Sequence, residues 1–307
     1  MKPSSRQDGV AIVMVLLIVA LATSVAVIMT TQQNLWQRQL LSQFDRTQAR
    51  RIGIAGIDWA RAVLADDAHA SSTDHADEMW ALRLPAMPVE NGEVIGAIED
   101  RQGLFNLNNL VRNGATSAID VAQFQSLLGL LGLSGGLATA LADWMDADSE
   151  TQGTDGAEDA YYLSLASPCR ASNRPLVELS ELELVKGFDR LTIKRLRSFV
   201  TALPLPGPVN VNFAPPEVLA AVAQNMSLAN ARTLVLQRRG NPYKSVADFR
   251  QRLPHGGIQV SDRDVSVNSQ FYMVTGRATL GRALVITQAL LQRSDGGWPA
   301  VVWQNVQ

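Results

Sequence analysis

A long apolar segment near the N-terminus limits what this chain can be more than any other feature. Val10–Met29 is a block of twenty residues without a single charge. As a helix rising about 1.5 Å per residue, it spans the roughly 30 Å hydrocarbon core of a bilayer. A secretory signal peptide instead has an apolar core of about 7–15 residues, followed by a small-residue cleavage site. The segment therefore predicts a retained membrane helix, and an ordinary signal anchor is the alternative interpretation.

The residues in front of this helix resemble the leader of a type IV prepilin. Such a leader is a short charged peptide that ends in glycine, and here Arg6 and Gly9 precede the apolar block. The resemblance implies that a prepilin peptidase cuts between Gly9 and Val10, which makes residues 1–9 the leader peptide. Met14 then occupies the fifth position of the mature chain, where most pilin-like subunits carry glutamate.

The charges around the apolar segment do not fix its orientation. Lys2 and Arg6 precede it, and four arginines follow it, namely Arg38, Arg46, Arg50 and Arg51. The short N-terminal tail can hardly hold a domain, so we expect the bulk of the protein on the other side of the membrane. With the prepilin resemblance, this predicts a single-pass protein of the cell inner membrane whose bulk lies in the periplasm.

The remaining composition is that of a globular protein, and it argues against several classes. A chain of 307 residues with 47% hydrophobic and 18% charged residues can build two folded domains beyond the anchor. The net charge of −2 gives no basic footprint, so no nucleic-acid partner is expected. Cys169 is the single cysteine, which excludes an internal disulfide, and with only three histidines a catalytic cysteine is not favoured. We expect no enzymatic activity.

Both ends of the chain carry the signals of one α+β fold. Apolar residues continue at helical spacing from Leu35 to Leu64, which predicts one long helix, and the polar stretch Asp66–Asp77 predicts a loop. Strand-like segments are Glu93–Asp100, Phe271–Leu280, Arg282–Arg293 and Ala300–Gln304. The amphipathic half of the helix needs a surface that buries it. We therefore predict a pilin-like long N-terminal helix packed on an antiparallel sheet.

The segment between these strands predicts a large helical domain inserted into the sheet. The expected organisation is a transmembrane part at 10–30, the first part of the pilin-like domain at 31–102, the insert at 103–265 and the last strands at 266–307. Turns at Leu131–Leu137 and Leu184–Asp189 resemble helix-hairpin-helix units of sterile-alpha-motif-like (SAM-like) domains. Some such hairpins bind DNA phosphates through backbone amides. Packing modules are the favoured alternative, because acidic residues border the first hairpin.

An acidic segment of the insert predicts a calcium site. Seventeen residues around flexible glycines contain six candidate carboxylate ligands: Asp143, Asp146, Asp148, Asp155, Glu158 and Asp159. Converging carboxylates repel one another unless a cation neutralises them, and ligands that are all oxygen suit Ca²⁺. The segment contains no histidine or cysteine, which argues against zinc. A solvated acidic loop and a paired-carboxylate hydrolase site are the alternatives.

Four stretches, in a fixed order, together resemble one family, the minor pseudopilin K of type II secretion systems, also called general secretion pathway protein K. They are the leader with its helix, Ile98–Leu110, the acidic segment, and Val209–Leu219. The resemblance implies a pilin-like domain whose helical insert binds one or two calcium ions. It also implies a place with the minor pseudopilins I and J at the pseudopilus tip. Further implied partners are the inner-membrane assembly platform and either secreted substrates or the outer-membrane secretin.

The residue at the fifth mature position supports a tip location on physical grounds. In a growing pilin filament, the glutamate of each new subunit can neutralise the N-terminal ammonium of the subunit before it. An unpaired carboxylate at the bilayer centre costs on the order of 2.5–3.5 kcal/mol. The first subunit has no predecessor, so Met14 avoids this cost. We predict a tip subunit that initiates or caps assembly for export of folded periplasmic proteins across the outer membrane; the alternative is a pilin-like, membrane-anchored DNA-binding subunit for DNA uptake.

Overall fold

A single helix makes up the N-terminal part of the protein. The computed structural model describes residues 8–83, 85–294 and 297–307. Helix α1 runs from Asp8 to Ala70, a length of 63 residues, which confirms the predicted long helix. Its apolar first part is exposed from Val10 to Phe44, and in the described part of the chain it is the one helix long and apolar enough to cross a membrane. Gly9 lies in the first turn of α1, whereas residues 1–7 of the predicted leader lie outside the described residues.

The last turn of α1 contains residues that the sequence predicted as a loop. The stretch Asp66–Asp77 is helical up to Ala70, so the predicted loop begins too early. Asp67 lies in this turn and forms an ion pair with Arg293, with 2.8 Å between Oδ2 and Nη1. This contact joins residues 226 positions apart, and it stabilises a polar turn whose local sequence is ambiguous.

Five antiparallel strands form the sheet on which α1 packs. They are β1 (Met87–Val89), β2 (Gly92–Asp100), β3 (Phe271–Leu280), β4 (Ala283–Gln292) and β5 (Ala300–Val306). Each strand is hydrogen-bonded to the next in this order, so the sheet is a meander interrupted between β2 and β3. Gly281, at a φ of +52°, allows the tight turn between β3 and β4. The predicted antiparallel sheet is confirmed.

The second half of α1 buries its apolar face against this sheet. The core between the two layers contains Ile57, Ala60, Leu64, Trp80, Ile98, Tyr272, Val274, Ala289 and Leu291. The helix approaches β4 closely at Gly53, where a Cβ atom would lie only 2.1 Å from Thr287 Oγ1. Gly56, in the same part of the helix, has nothing within 4 Å of its Cβ position. The missing side chain at Gly53 therefore sets the distance between helix and sheet.

The insert lies between β2 and β3 and is mainly helical. Its described α-helices are α2 (Ala118–Leu130), α3 (Gly136–Met145), α4 (Asp159–Tyr162), α5 (Arg190–Leu196), α6 (Pro216–Val222), α7 (Leu228–Gln237) and α8 (Val246–Gln251). Short 3-10 helices lie at Leu107–Leu110 and Leu179–Leu184, and another lies outside the insert at Met79–Ala81. Three pairs of two-residue strands join Phe105–Asn106 to Val200–Thr201, Val111–Arg112 to Ala115–Thr116, and Val209–Asn210 to Val265–Ser266. One apolar core includes residues from all seven helices of the insert, as expected for hairpins that pack on one another.

Local signals explain where several helices of the insert begin. The Ser227 hydroxyl accepts a hydrogen bond from the Asn230 amide at the start of α7, and Ser245 does the same for the Asp248 amide at α8. Such caps satisfy amides that have no partner within the helix. Pro216 is the first residue of α6, where its missing N–H costs nothing.

The sheet and the part of α1 that packs on it, from Asp45 to Ala70, are called the stem below. A buried ion pair holds the insert to the end of this stem. Asp74 is 1% exposed, and Arg293 Nη2 donates to both of its oxygens, at 2.7 and 2.5 Å. The same carboxylate accepts from the Ser269 amide at 2.7 Å and from the Tyr272 hydroxyl at 2.8 Å. Asn210 of the insert donates to the Asp74 carbonyl and to the Ser269 hydroxyl. The point where the chain leaves the insert is therefore fixed to both α1 and the sheet.

Replacing Gly53 with alanine should lower the free energy of unfolding by roughly 1–3 kcal/mol, because the new methyl group must displace Thr287 or the helix in a packed core. Gly56→Ala is the matched control, since the same methyl group meets open space there. It should be neutral or stabilise the protein by up to about 1 kcal/mol through helix propensity. Chemical denaturation of the full chain in detergent measures both variants. Equal effects would contradict the spacing role of Gly53.

Candidate cation site

Two carboxylates of the acidic segment are fixed by the end of α3. Asp143 lies within the last turn of the helix, and Asp146 follows its last residue, with its amide donating to the Ala142 carbonyl. A spacing of three residues puts both on one side of the helix. Their side chains are 0% and 1% exposed. Burying two carboxylates so close together is unfavourable unless other groups compensate them.

Asp143 organises the loop that follows. Its Oδ2 accepts hydrogen bonds from the amides of Gln152 and Ala157, both at 3.0 Å. The loop passes so close that a Cβ atom at Gly156 would lie 2.2 Å from the same oxygen. A glycine is therefore required there, and the loop from Gln152 to Ala157 is closed around one carboxylate.

Three carboxylates converge beside this loop. Asp146, Asp148 and Glu158 each offer an oxygen, and these oxygens lie within 4.8 Å of one another. Asp146 Oδ2 also accepts from Thr116 Oγ1 at 2.9 Å and from Gln152 Nε2 at 3.1 Å. Asp146 and Glu158 are buried, whereas Asp148 is exposed. The group is thus open to solvent on one side.

Several carboxylate oxygens in this region have no hydrogen-bond partner among the described residues. They are Asp143 Oδ1, Asp146 Oδ1 and both oxygens of Glu158, all of them buried. Burial raises the pKa of Asp143 and Asp146 above the usual range. Burial, together with the neighbouring carboxylates, raises the pKa of Glu158 to about 7. Buried carboxylate oxygens without donors fit a hard cation, which supplies the missing positive charge.

The other two predicted ligands lie outside this group. Asp159 Oδ1 accepts from the Ala171 amide at 3.0 Å, and its Oδ2 lies 3.8 Å from Arg170 Nε. Asp155 is exposed and lies next to the first residue of α3, where a Cβ at Gly136 would be 2.5 Å from its Cγ. Of the six acidic residues singled out in the sequence, the structure brings Asp146, Asp148 and Glu158 together and places Asp143 at the base of the same loop.

Some residues that shape the site were not identified from the sequence. Thr116 and Gln152 both bond to Asp146, and Lys186 Nζ donates to the Gly156 carbonyl at 2.9 Å. For these three residues, the sequence offered one signal, which is the position of Gln152 within the acidic segment. Thr116 and Lys186 come from other elements, and only the fold brings them to the loop.

A second acidic group lies at the junction of stem and insert. Oxygens of Asp67, Asp74 and Glu78 lie within 4.8 Å of one another, and the sequence predicted the first two only as part of a polar loop. Arg293 pairs with both aspartates, and Glu78 accepts from the Trp80 indole. A guanidinium already pairs with two of its three carboxylates, so the group forms an ion-pair network.

The fold and the acidic loop together define a class of protein. The first half of one helix is long enough to span a membrane, and its second half packs on an antiparallel sheet. This is the architecture of a pilin-like, membrane-anchored subunit. The helical insert with its converging carboxylates is an addition to that architecture.

Comparisons with known proteins identify the family. Two family models for type II secretion system protein K match residues 103–205 and 209–268. The type II secretion system protein K of Pseudomonas aeruginosa is 35% identical, over 95% of this chain and 90% of the relative. That of Klebsiella pneumoniae is 32% identical, over 94% of this chain and 93% of the relative. The chain belongs to the type II secretion system protein K family, as the resemblance in its sequence implied.

A solved structure shares the fold. A chain of the GspK–GspI–GspJ complex from the enterotoxigenic Escherichia coli type 2 secretion system superposes with a TM-score of 0.77 and 24% identity. The match covers 88% of this chain and 99% of that one. It confirms the predicted α+β fold with a helical domain inserted into the sheet.

The raised pKa of Glu158 predicts a pH dependence of stability in the metal-free protein. Its folded-state pKa is about 7 against 4.5 when unperturbed, so the folded state holds the proton more tightly. The free energy of unfolding should therefore fall as the pH rises from about 4.5 to about 7, by on the order of 1–3 kcal/mol from this group. Glu158→Gln should remove this part of the dependence.

Denaturation of wild type and variant in chelator at pH 5 and pH 7.5 measures the difference. Glu150→Gln is the matched control, because Glu150 is an exposed carboxylate of the same loop. A stability difference between Glu158→Gln and wild type that stays constant across this pH range would contradict the shifted pKa.

Proposed function

We propose that this minor pseudopilin stands at the tip of the type II secretion pseudopilus, where it initiates or caps assembly for export of folded periplasmic proteins across the outer membrane. Its family supports a structural role in secretion and gives no support to the alternative of DNA uptake. We propose no catalytic step for it. The observation that carries the tip location is the place of the insert on the stem.

The insert is attached at the end of the stem that points away from the membrane segment. The turn between β3 and β4 lies beside Asp45, since a Cβ at Gly281 would be 2.5 Å from its carboxylate. The opposite ends of the strands lie beside Asp67, which pairs with Arg293. Along α1, these two aspartates are roughly 33 Å apart. The chain enters and leaves the insert at the Asp67 end, so the insert extends beyond the stem.

This attachment favours a terminal position in a filament. A domain at the far end of the stem would collide with a subunit stacked directly above it, whereas the uppermost subunit has free space there. Met14 supports the same position, because a subunit without a predecessor has no ammonium group for a glutamate to pair with. An apolar side chain at this depth avoids the cost of an unpaired carboxylate in the bilayer.

We propose the minor pseudopilins I and J as direct partners. The solved complex with the same fold contains GspI and GspJ. The exposed apolar length of α1, from Val10 to Phe44, offers a surface for other membrane helices. Processing by a prepilin peptidase between Gly9 and Val10, contact with the inner-membrane assembly platform, and contact with secreted substrates or the secretin complete the proposal.

The proposed location is the inner membrane, with one span and the bulk in the periplasm. The first part of α1 has the length and hydropathy of a membrane span, and its apolar window is fully exposed. A soluble core helix of such composition would instead be buried. The sheet and the insert both follow this span in the chain, so they lie together on one side of the membrane.

We propose that the acidic loop binds Ca²⁺. Asp146, Asp148 and Glu158 would provide ligands, and Asp143 would hold the loop around them. The support is the set of buried carboxylate oxygens that lack partners among the described residues. A bound cation supplies positive charge to oxygens that otherwise repel one another, and Ca²⁺ accepts six to eight oxygen ligands in flexible geometry. An exposed Asp148 leaves room for solvent ligands and for a second ion.

The tip proposal predicts that Met14→Glu lowers the number of assembled pseudopili. The new carboxylate has no partner in the first subunit, so this subunit should enter the assembly platform less readily. Met14→Leu is the matched control and should assemble normally. Electron microscopy counts pseudopili in cells, and co-purification of the full chain with I and J from detergent extracts checks complex formation.

Both variants should retain I and J, because one substitution leaves the rest of the exposed apolar length of α1 unchanged. Normal assembly of Met14→Glu would show that this residue does not assign the tip position. Failure of the wild type to retain I and J would contradict the proposed partnership.

The calcium proposal predicts that chelation lowers the melting temperature of the full chain in detergent. A cation present at about a hundred times its Kd stabilises the folded state by roughly 2.7 kcal/mol, which corresponds to roughly 5–10 °C. Asp146→Asn should abolish the shift, and Glu150→Gln should retain it. No calcium-dependent shift in the wild type would contradict the site.

A further inference from the structure

A lysine outside the acidic segment contacts the loop just before Glu158. Lys186 lies in the turn that precedes α5, and its Nζ donates to the Gly156 carbonyl at 2.9 Å and to the Thr154 carbonyl at 3.4 Å. Among the described residues, the hydrogen bonds of this ammonium group all go to backbone carbonyls of the loop. It therefore holds the path of the chain two residues ahead of Glu158.

The same lysine also contacts the chain just after Glu158. The Lys186 amide donates to the Tyr162 hydroxyl at 3.3 Å, and Nζ lies 5.2 Å from the centre of the Tyr161 ring. Both tyrosines belong to α4, the helix that Glu158 precedes. Lys186 thus contacts the backbone before Glu158 and two side chains after it.

In the described part of the chain, no hydrogen bond holds the carboxylate of Glu158 itself. Both of its carboxylate oxygens are buried and lack a hydrogen-bond partner among the described residues. Asp146, in contrast, is held by Thr116 and Gln152. The direction of the Glu158 side chain therefore depends on the backbone that flanks it. Asp143, the first turn of α4 and Lys186 hold that backbone, and Lys186 is the one of the three that contacts the chain both before and after Glu158.

We infer that Lys186 is a positioning residue of the cation site, which holds residues 152–162 so that Glu158 points toward Asp146 and Asp148. This inference rests on the proposed calcium function and names a residue that no carboxylate pattern identifies. Lys186 makes no contact with the ion in this role. It acts on the site through the loop alone.

The direction of the effect separates positioning from simple electrostatics. A positive charge close to a cation site repels the cation, so its removal alone would tighten calcium binding. Loss of an outer contact that orients a ligand typically weakens metal binding by about 10–100-fold. Lys186→Met keeps the apolar part of the side chain and removes the ammonium group. Weaker calcium binding by this variant would therefore show that Lys186 acts by positioning the loop.

The experiment measures calcium affinity by titration calorimetry on the full chain in detergent. Lys186→Met should bind Ca²⁺ at least about tenfold more weakly than the wild type. Lys186→Arg, which keeps a charged donor, should recover most of the affinity. Lys194→Met removes the same charge from an exposed position on α5 and should bind as the wild type does.

Hydrogen exchange of the metal-free protein provides a second reading. Amides of residues 152–162 should exchange faster in Lys186→Met, while those of α7 should keep their wild-type rates. Faster exchange throughout the insert would overturn the inference, because it would show a general structural role. Unchanged or tighter calcium binding by Lys186→Met would also overturn it.

The two proposals fail in different ways. If the wild type binds no Ca²⁺, the calcium function is wrong, and exchange in residues 152–162 still decides whether Lys186 holds Glu158. If the wild type binds Ca²⁺ and exchange in this segment is the same in Lys186→Met, the positioning role is wrong and the calcium site stands.

Discussion

The buried pair of Asp74 and Arg293 determines how the two parts of this protein are joined. It lies where the end of α1, the sheet and the exit from the insert meet, and it is enclosed by hydrogen bonds from Ser269 and Tyr272. Burial, and to a smaller extent the charge of Asp74, raises the pKa of Tyr272. The Tyr272 hydroxyl therefore keeps the proton that it donates. Removing one partner of such a pair leaves an uncompensated buried charge, at a cost of about 3–5 kcal/mol. The angle between stem and insert is therefore set by charge pairing as well as by apolar packing.

The entry to the insert is fixed by the same network. Asp100, at the end of β2, accepts hydrogen bonds from the Ser269 hydroxyl and the Gly103 amide, so the chain is held where it enters and where it leaves. Burial raises the pKa of Asp100 to about 7. Ser269 thus bonds to Asp74 beside the exit of the insert and to Asp100 at its entry, so one residue joins the two connections.

The sequence was sufficient for elements whose signals are local. The helical spacing of apolar residues in α1 and the strand at Phe271–Leu280 both rest on nearby residues, and both were predicted correctly. The last turn of α1 was missed because Arg293 stabilises it from the far end of the chain. In the acidic loop, composition identified a cluster of carboxylates but not their grouping. The close approach of the chain to Asp143 at Gly156 and the contacts of Lys186, which comes from another turn, decide that grouping. Neither follows from the spacing of the acidic residues in the sequence.

The two acidic groups of the molecule show why carboxylate count alone does not define a metal site. Each brings three carboxylates within 4.8 Å of one another. At the junction, the Arg293 guanidinium pairs with both Asp67 and Asp74, so these two carboxylates have a permanent positive partner. In the loop, the nearest ammonium group bonds to carbonyls, which leaves the oxygens of Glu158 without a donor among the described residues. A group with a built-in cation holds domains together, whereas a group whose cation must come from solution can respond to its concentration. The same residue type therefore serves a fixed joint at one end of the insert and, in the proposed calcium site, an exchangeable ligand set within it.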